Sequence, residues 1–275
     1  MIFVTGAAGF IGSNFAHHLK EKGYKDIVIL DKLTYAASTD NLNPHTLPIE
    51  IVDIADKNHL ERVFQKYRPK FIFHFAAESH VDNSIEDATP FVDTNVTGTL
   101  NLLELTRIFS PNAPFIFMST NKVYGDNPNK LKILEKRTRY ELSKKNKFYN
   151  GVNEKLSVDD CTHSFFGVSK IYADLIVQEY GRNVGLKTVC FRAGCITGPN
   201  HSGAKLHGFL SYLVKQSLLK KEYTILGYKG KQVRDNLHSY DLINCFWQFY
   251  VTEGPMQRFW PKRVSCSTDN QVSQC

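Results

Sequence analysis

Short apolar runs and amphipathic stretches alternate along the chain from its first residue. "MIFVT" (1–5), "DIVIL" (26–30), "IEIVD" (49–53), "FIFHFAA" (71–77), "FIFMST" (115–120) and "KTVCFR" (187–192) are largely apolar and bounded by polar residues or glycine. Strands covered by helices on both faces have this composition. Helical periodicity fills the intervals near 12–22, 57–67, 90–109 and 166–183. The alternation predicts an α/β fold built on a doubly wound parallel sheet. Beyond residue 192 the pattern loosens into turns, a helix near 206–220, a short strand "YTILG" (223–227) and a helix near 241–250. Residues 1–192 are expected to form the main unit, with parts of 223–250 interleaved. Residues 193–275 are expected to form a small C-terminal lobe over the carboxyl edge of the sheet, where ligands bind in open α/β folds. The polar tail 252–275 shows neither helical nor strand period.

At 275 residues, 42% of them hydrophobic, the chain can bury the core of one large α/β domain with a small second lobe. It has no run of about 18 apolar residues, so no membrane span is expected. The first strand begins at once, without a basic lead or cleavage site, so no signal peptide is expected and a cytoplasmic location follows. Six cysteines lie scattered without C-x-x-C pairs or His partners at ligand spacing. They are expected to be reduced packing thiols, with no metal site. The net charge of +7 suggests a nucleic-acid footprint until it is located. Residues 130–147, "KLKILEKRTRYELSKKNK", hold eight Lys or Arg against two Glu, so most of the excess sits in one segment. A solvated loop or exposed helix accounts for it, and a basic mouth for an anionic substrate is the alternative. No recognition motif accompanies the charge, so DNA or RNA binding is not expected.

"VTGAAGFIGSN" places Gly6, Gly9 and Gly12 between the first strand and the helix that follows. Gly6 permits a tight turn, Gly9 a close backbone approach to a pyrophosphate, and Gly12 close packing of helix on strand. Phe10 and Ile11 lie at the helix N-terminus, whose amides and field favour phosphate. With a strand before and a helix after, the spacing points to dinucleotide binding on a Rossmann-type sheet. The second strand runs into Asp31, whose carboxylate suits the ribose hydroxyls and repels a 2′-phosphate, so NAD is expected over NADP. Lys32 follows directly and softens that preference. Asp53 and Ile54 end the third strand, where an adenine edge would lie, although Asp53 equally suits a helix cap.

Taken together, "TGAAGFIGSN", "DKLTYA" (31–36), "FAAESHVDNSIEDATPFVDTNVTGTLNLLE" (75–104), "STNKVYGD" (119–126), "FGVSKIYAD" (166–174) and "GKQVRDNLHSYDLI" (230–243) resemble the extended short-chain dehydrogenase/reductases that act on nucleotide sugars. The resemblance implies an NAD used and regenerated within each turnover. It also implies a UDP-, dTDP-, CDP- or GDP-sugar substrate and a homodimer joined through the helices near 90–109 and 166–183. It assigns Phe75, Ala76, Ala77 and Asn95 to the cofactor, and Glu78, Ser79, His80, Asn121, Lys205 and Arg234 to the substrate. Arg234, in "QVRDN", matches the position that binds the substrate diphosphate, and an Arg fork suits phosphate oxygens. Asn95 lies within a helix, where a polar amide is disfavoured, and resembles the family Asn that holds an active-site water or a backbone kink. The family pattern continues past the tail with a strand and more of the lobe, so a shortened substrate lobe is expected.

"DKLTYA" and "AAESHVD" are similar to the dTDP-glucose 4,6-dehydratases, whose active strand continues Thr-Asp-Glu. Asn121 and Lys122 stand there in this chain, and neither offers a carboxyl group for eliminating water. "STNKVYGD" and the insertion 126–162 are similar instead to the CDP-paratose (CDP-tyvelose) 2-epimerases. There a C2 hydroxyl is oxidised by NAD and the hydride returns to the opposite face. In the family pattern, Thr120 would bond the reacting oxygen and Lys170 would hold the nicotinamide ribose. A Tyr one helical turn before the Lys would take the proton, its phenolate favoured by the ammonium. Phe166 occupies that position and has no oxygen. Three readings stay open: a packed Phe in an inactive relative, a proton route through Thr120, Lys170, Tyr124 or a water, and a sequence change without a counterpart in a working enzyme.

Overall fold

The computed structural model describes residues 1–43, 47–203, 208–252 and 262–265. Strands β1 (Ile2–Thr5), β2 (Ile27–Asp31), β3 (Ile49–Ile51), β4 (Phe71–His74) and β5 (Phe115–Thr120) lie on the predicted runs, β2 passing the end of its run by one residue. The insertion contributes an unpredicted antiparallel hairpin, β6 (Ile133–Glu135) with β7 (Tyr140–Leu142). Then come β8 (Thr188–Ala193), β9 (Cys195–Thr197), β10 (Asn236–His238) and β11 (Lys262–Ser265). Seven strands form one parallel sheet in the order β11-β8-β5-β4-β1-β2-β3, and β9 pairs with β10 beside it.

The helices are α1 (Phe10–Glu21), α2 (Lys57–Tyr67), α3 (Val81–Glu86), α4 (Thr89–Phe91), α5 (Thr99–Phe109), α6 (Phe165–Glu179), α7 (Phe209–Leu218) and α8 (Ser239–Thr252). A π-helical turn, Val92–Gly98, joins α4 to α5. Strand alternation divides the core in two. Ile2, Val4, Ile27 and Ile29 pack with Phe15 of α1 and Phe246 of α8. Phe3, Val28 and Leu30 pack on the opposite face with Phe64 of α2, Leu102 of α5 and Val177 of α6. Both faces are covered at the centre of the sheet, which is why β1, β2 and β4 are largely apolar. Each fully buried Phe or Leu contributes roughly 1.5–3 kcal/mol relative to an exposed one. The strand order reverses between β1 and β4, and the crevice at that switch point is where open α/β sheets take ligands.

Two expectations are corrected. Residues 223–227 form no strand: among the described residues no neighbouring edge pairs with them, and Ile225 and Leu226 lie exposed. The tail expected to lack strand structure supplies β11, which pairs parallel with β8 at the sheet edge. An edge strand has one unpaired side and tolerates the polar composition Lys-Arg-Val-Ser that hid it.

Candidate functional site

The turn after β1 is shaped by close backbone approaches. Gly6 has φ +68°, and a Cβ there would lie 2.6 Å from the Ala76 amide nitrogen. A Cβ on Gly12 would overlap the Gly6 carbonyl and lie 2.6 Å from Ala7 Cα. Gly9 is different, since its added Cβ would meet nothing closer than the Gly6 carbonyl at 3.3 Å. With only a hydrogen there, the backbone at the helix start can be approached closely. Asp31 ties the end of β2 to this turn, accepting from the Ala8 amide at 2.9 Å and the Leu33 amide at 2.8 Å.

Beneath it, Thr5 Oγ1 accepts from the amides of Phe75 and Ala76 at 3.2 and 3.1 Å and pairs with His74 Nδ1 at 2.8 Å. Burial, with Lys170 nearby, holds His74 well below the ordinary imidazole range, so the ring is neutral. Thr5 therefore donates to Nδ1, and Nε2 donates to Thr99 Oγ1 at 2.9 Å. Lys32 turns to Asp53 and Thr94, each at 3.3 Å. Asp53 also accepts from the Ala55 amide, while Asp56 caps α2, so the helix-cap reading of Asp53 is corrected. Ile54 is buried, and a Cβ on Gly98 would lie 2.5 Å from its Cγ1.

Residues 198–201 reach back to the start of α1. Asn14 donates to the carbonyls of Phe10 and Pro199, both at 2.8 Å. The His201 ring stacks on Phe10 at 4.4 Å, and Asn200 donates to Ser13 Oγ at 3.2 Å. Phe10 thus ties residues 198–201 to the Gly-rich turn.

At the end of β5, Thr120 Oγ1 accepts from the Lys122 amide at 3.2 Å and donates to Asn121 Oδ1 over a long 3.4 Å. Lys170 is 5% exposed. Its ammonium donates to the Met118 carbonyl at 2.8 Å and lies 4.2 Å from the Phe117 ring centroid. Burial pulls it down to about 7, against the opposing field of Asp174. Phe166, one turn earlier, is buried with its ring edge-on to Phe91 at 6.4 Å.

Sequence patterns missed the buried network beside these residues. Arg192 of β8 donates twice to Asp174 of α6, at 3.0 and 2.7 Å, and once to the Tyr124 hydroxyl at 3.0 Å. Ser119 and Gln178 also donate to Asp174. The Tyr124 phenol is therefore committed to this network, where burial pushes its pKa up, with Arg192 opposing. The one available signal was spacing, since Asp174 lies four residues after Lys170 and shares its face.

Asn95 sits in the π turn, where widened helices often mark functional sites. It accepts from the Glu78 amide at 3.0 Å and donates to the Glu78 carbonyl at 3.0 Å and to Ser169 Oγ at 2.9 Å. Ser169 in turn donates to the Phe166 carbonyl at 2.8 Å. Asn95 thus fixes the loop after β4, which carries half-buried Ala77, Ser79 and His80 as well as Glu78. Tyr35, assigned no role from sequence, donates to Glu78 Oε2 at 3.2 Å and stacks on His80 at 5.3 Å. Burial and the Glu78 charge push its phenol up to about 12. Glu135 of β6 binds Lys229 and Lys231, so the basic insertion docks beside the stretch leading to half-buried Arg234. Lys205 lies outside the described residues.

The family model for the NAD dependent epimerase/dehydratase family matches residues 2–257. The chain belongs to this family. It is 37% identical to CDP-paratose 2-epimerase of Salmonella typhi over 257 residues, covering 90% of this chain and 73% of that protein. It is 35% identical to dTDP-glucose 4,6-dehydratase of Neisseria meningitidis serogroup B over 266 residues, covering 92% and 68%. A solved dTDP-glucose 4,6-dehydratase from Streptomyces venezuelae, with NAD bound, superposes with a TM-score of 0.75 at 28% identity, covering 98% of this chain and 76% of that one.

As in the rest of this epimerase/dehydratase family, the cofactor is NAD. The residues present fit it: the spaces that a Cβ would fill at Gly6 and Gly12 are closed by backbone, and Gly9, with no side chain, stands at the start of α1. Gly9, Phe10 and Ile11 would hold the pyrophosphate, Asp31 the adenosine ribose and Lys170 the nicotinamide ribose. Among the described residues no group of three or more His, Cys, Asp or Glu could hold a metal ion. No helix among them is long and apolar enough to cross a membrane.

Proposed function

We propose that the chain is an NAD-dependent nucleotide-sugar epimerase of the CDP-paratose 2-epimerase type. The observation that carries this reading is the pair following Thr120. Asn121 and Lys122 offer an amide and an ammonium where elimination of water needs carboxyl groups. When bound, NAD supplies a hydride acceptor that later returns the hydride. Thr120 exchanges its long bond to Asn121 for one to the sugar oxygen. Lys170, whose pKa burial pulls down to about 7, takes the hydroxyl proton in its free-amine form and gives it back. Glu78, Ser79 and His80 orient the sugar, and Arg234, with the basic insertion and Lys205, receives the diphosphate.

A homodimer in the cytoplasm belongs to the same reading. Phe165, Val168, Tyr172 and Leu175 form an exposed apolar face on α6, with Val92 and Ile108 exposed on the neighbouring helix. Contiguous apolar surface of this kind marks an interaction site.

A second reading, a non-catalytic NAD-binding relative, is favoured by the packing of Phe166 on Phe91. One experiment separates the two. Wild type and Phe166→Tyr are incubated with CDP-, dTDP-, UDP- and GDP-sugars in deuterated water, and isotope uptake and transient NADH absorbance are followed. The epimerase reading expects interconversion of C2 epimers of a CDP-sugar. Loss of water from dTDP-glucose would favour the dehydratase relatives. Silence from both proteins across the panel would leave the non-catalytic reading.

A further inference from the structure

The strand order reverses between β1 and β4, yet side chains from either side of that crevice meet. Tyr35 lies on the loop after β2, and Glu78 and His80 lie on the loop after β4, with β1 between them in the sheet. We propose that Tyr35, Glu78 and His80 form a clasp across the dinucleotide crevice, and that the clasp slows the release of NAD.

Three observations carry this. The phenol is fixed at two points, by its bond to Glu78 Oε2 at 3.2 Å and by its stack on His80 at 5.3 Å, although Tyr35 is 60% exposed. An exposed ring adds little to the core, so this double attachment needs another cause. The loop does not depend on the clasp for its shape. Leu33 donates to Asp31, Ala37 to the Thr34 carbonyl, Ser38 to the Ala8 carbonyl, and the Asn41 side chain to the same Ala8 carbonyl. The far side is rigid in its own right, because Asn95 holds both backbone groups of Glu78.

A bond between two independently anchored loops resists their separation, and a ligand in the crevice between them can leave only when they part or by sliding out beneath. The proposed chemistry oxidises and re-reduces the sugar within one turnover, and an NAD that stays in place is what it requires. The clasp rests on family membership and on the cofactor, and is independent of which sugar is bound.

The test follows NADH release from purified, loaded protein by displacement with excess NAD, with NADH fluorescence as the readout. Tyr35→Phe keeps the ring and loses the bond to a charged partner, so release should quicken about tenfold. Tyr35→Ala loses the stack as well and should release about thirtyfold faster than wild type. Glu78→Gln keeps an acceptor and should lie between wild type and Tyr35→Phe. Association rates should stay within about twofold of wild type, because the hydroxyl closes the site rather than shaping it. The melting temperature of the NAD-free protein should not change in Tyr35→Phe. A wild-type release rate in Tyr35→Phe would overturn the clasp. So would a loss of association rate and melting temperature matching the gain in release, since that pattern belongs to a damaged cradle. If Tyr35→Ala fails to fold, the near-isosteric Phe variant decides alone.

Discussion

The Gly-rich turn and the end of β5 lie along the same sheet edge, and they depend on their residues in different ways. At the turn, backbone meets backbone so closely that Gly6 and Gly12 leave no space for a Cβ. At the end of β5 the backbone frame is just as regular, but the chemistry depends on single side-chain atoms: the Thr120 hydroxyl, the Lys170 ammonium and the oxygen that Phe166 lacks. Steric requirements of the first kind cannot change without straining the backbone that shapes the turn. Chemical requirements of the second kind can change while the fold persists, and Phe166 is buried against Phe91 without the oxygen.

The largest effect expected tests whether the catalytic edge is really free of the fold. Arg192→Leu leaves the buried Asp174 carboxylate without its cation and should cost about 3–5 kcal/mol, read from the urea midpoint. A loss below about 1 kcal/mol would mean that Ser119 and Gln178 satisfy the carboxylate by themselves. Next comes the missing oxygen. Phe166→Tyr should raise epimerase turnover about a hundredfold, the lower end of what general acid–base help contributes, with little change in stability. At the cradle, Gly12→Ala should destabilise by about 2 kcal/mol through overpacking, and the purified protein should carry less NAD. Equal NAD content would break the contrast.

Asp235 is a smaller test of the same contrast, because Gly194 packs against it so closely that a Cβ would lie 2.6 Å from Asp235 Cβ. Burial pushes its carboxyl up to about 6, and Oδ1 has no hydrogen-bond partner among the described residues. Its folded pKa is raised, so the stability it contributes is present below the ordinary carboxyl range and lost as pH rises through about 6. Relative to Asp235→Asn, wild type should lose on the order of 2 kcal/mol between about pH 4 and pH 7, seen in paired urea titrations. The smallest change expected is at Lys32, whose pair with Asp53 is partly exposed. Lys32→Met should cost less than about 1 kcal/mol, and that cost should shrink further in high salt.

The sheet and the cradle were legible because their signals are local. Strand runs, glycine spacing and Asp31 at the end of β2 all lie within a few residues of the feature they specify. What escaped is held together over long separations. Arg192 meets Asp174 across 18 positions, Ser119 meets Asp174 across 55, and Tyr35 meets Glu78 across 43. "YTILG" (223–227) misled because β-branched and aromatic composition makes a strand only where an edge is available to pair with it. The strand at 262–265 was missed for the converse reason, since an available edge recruits even polar residues. Asn95 was noticed as a misfit in a helix, but the π turn that accommodates it leaves no trace in hydrophobic period.

That turn, Val92–Gly98, also sets a counting rule for the gene. Within an ordinary α-helix, loss of one codon rotates everything downstream by about 100° and turns its apolar face away from the core. A π turn holds one surplus residue, so a single-codon deletion here should relax it to a plain α-helix and keep α5 in register. The deleted protein would fold, while Asn95 would lose its seat under Glu78. A library of one-residue deletions through 88–104 should therefore show a narrow window of soluble proteins with a disordered β4 loop, flanked by deletions that do not fold at all.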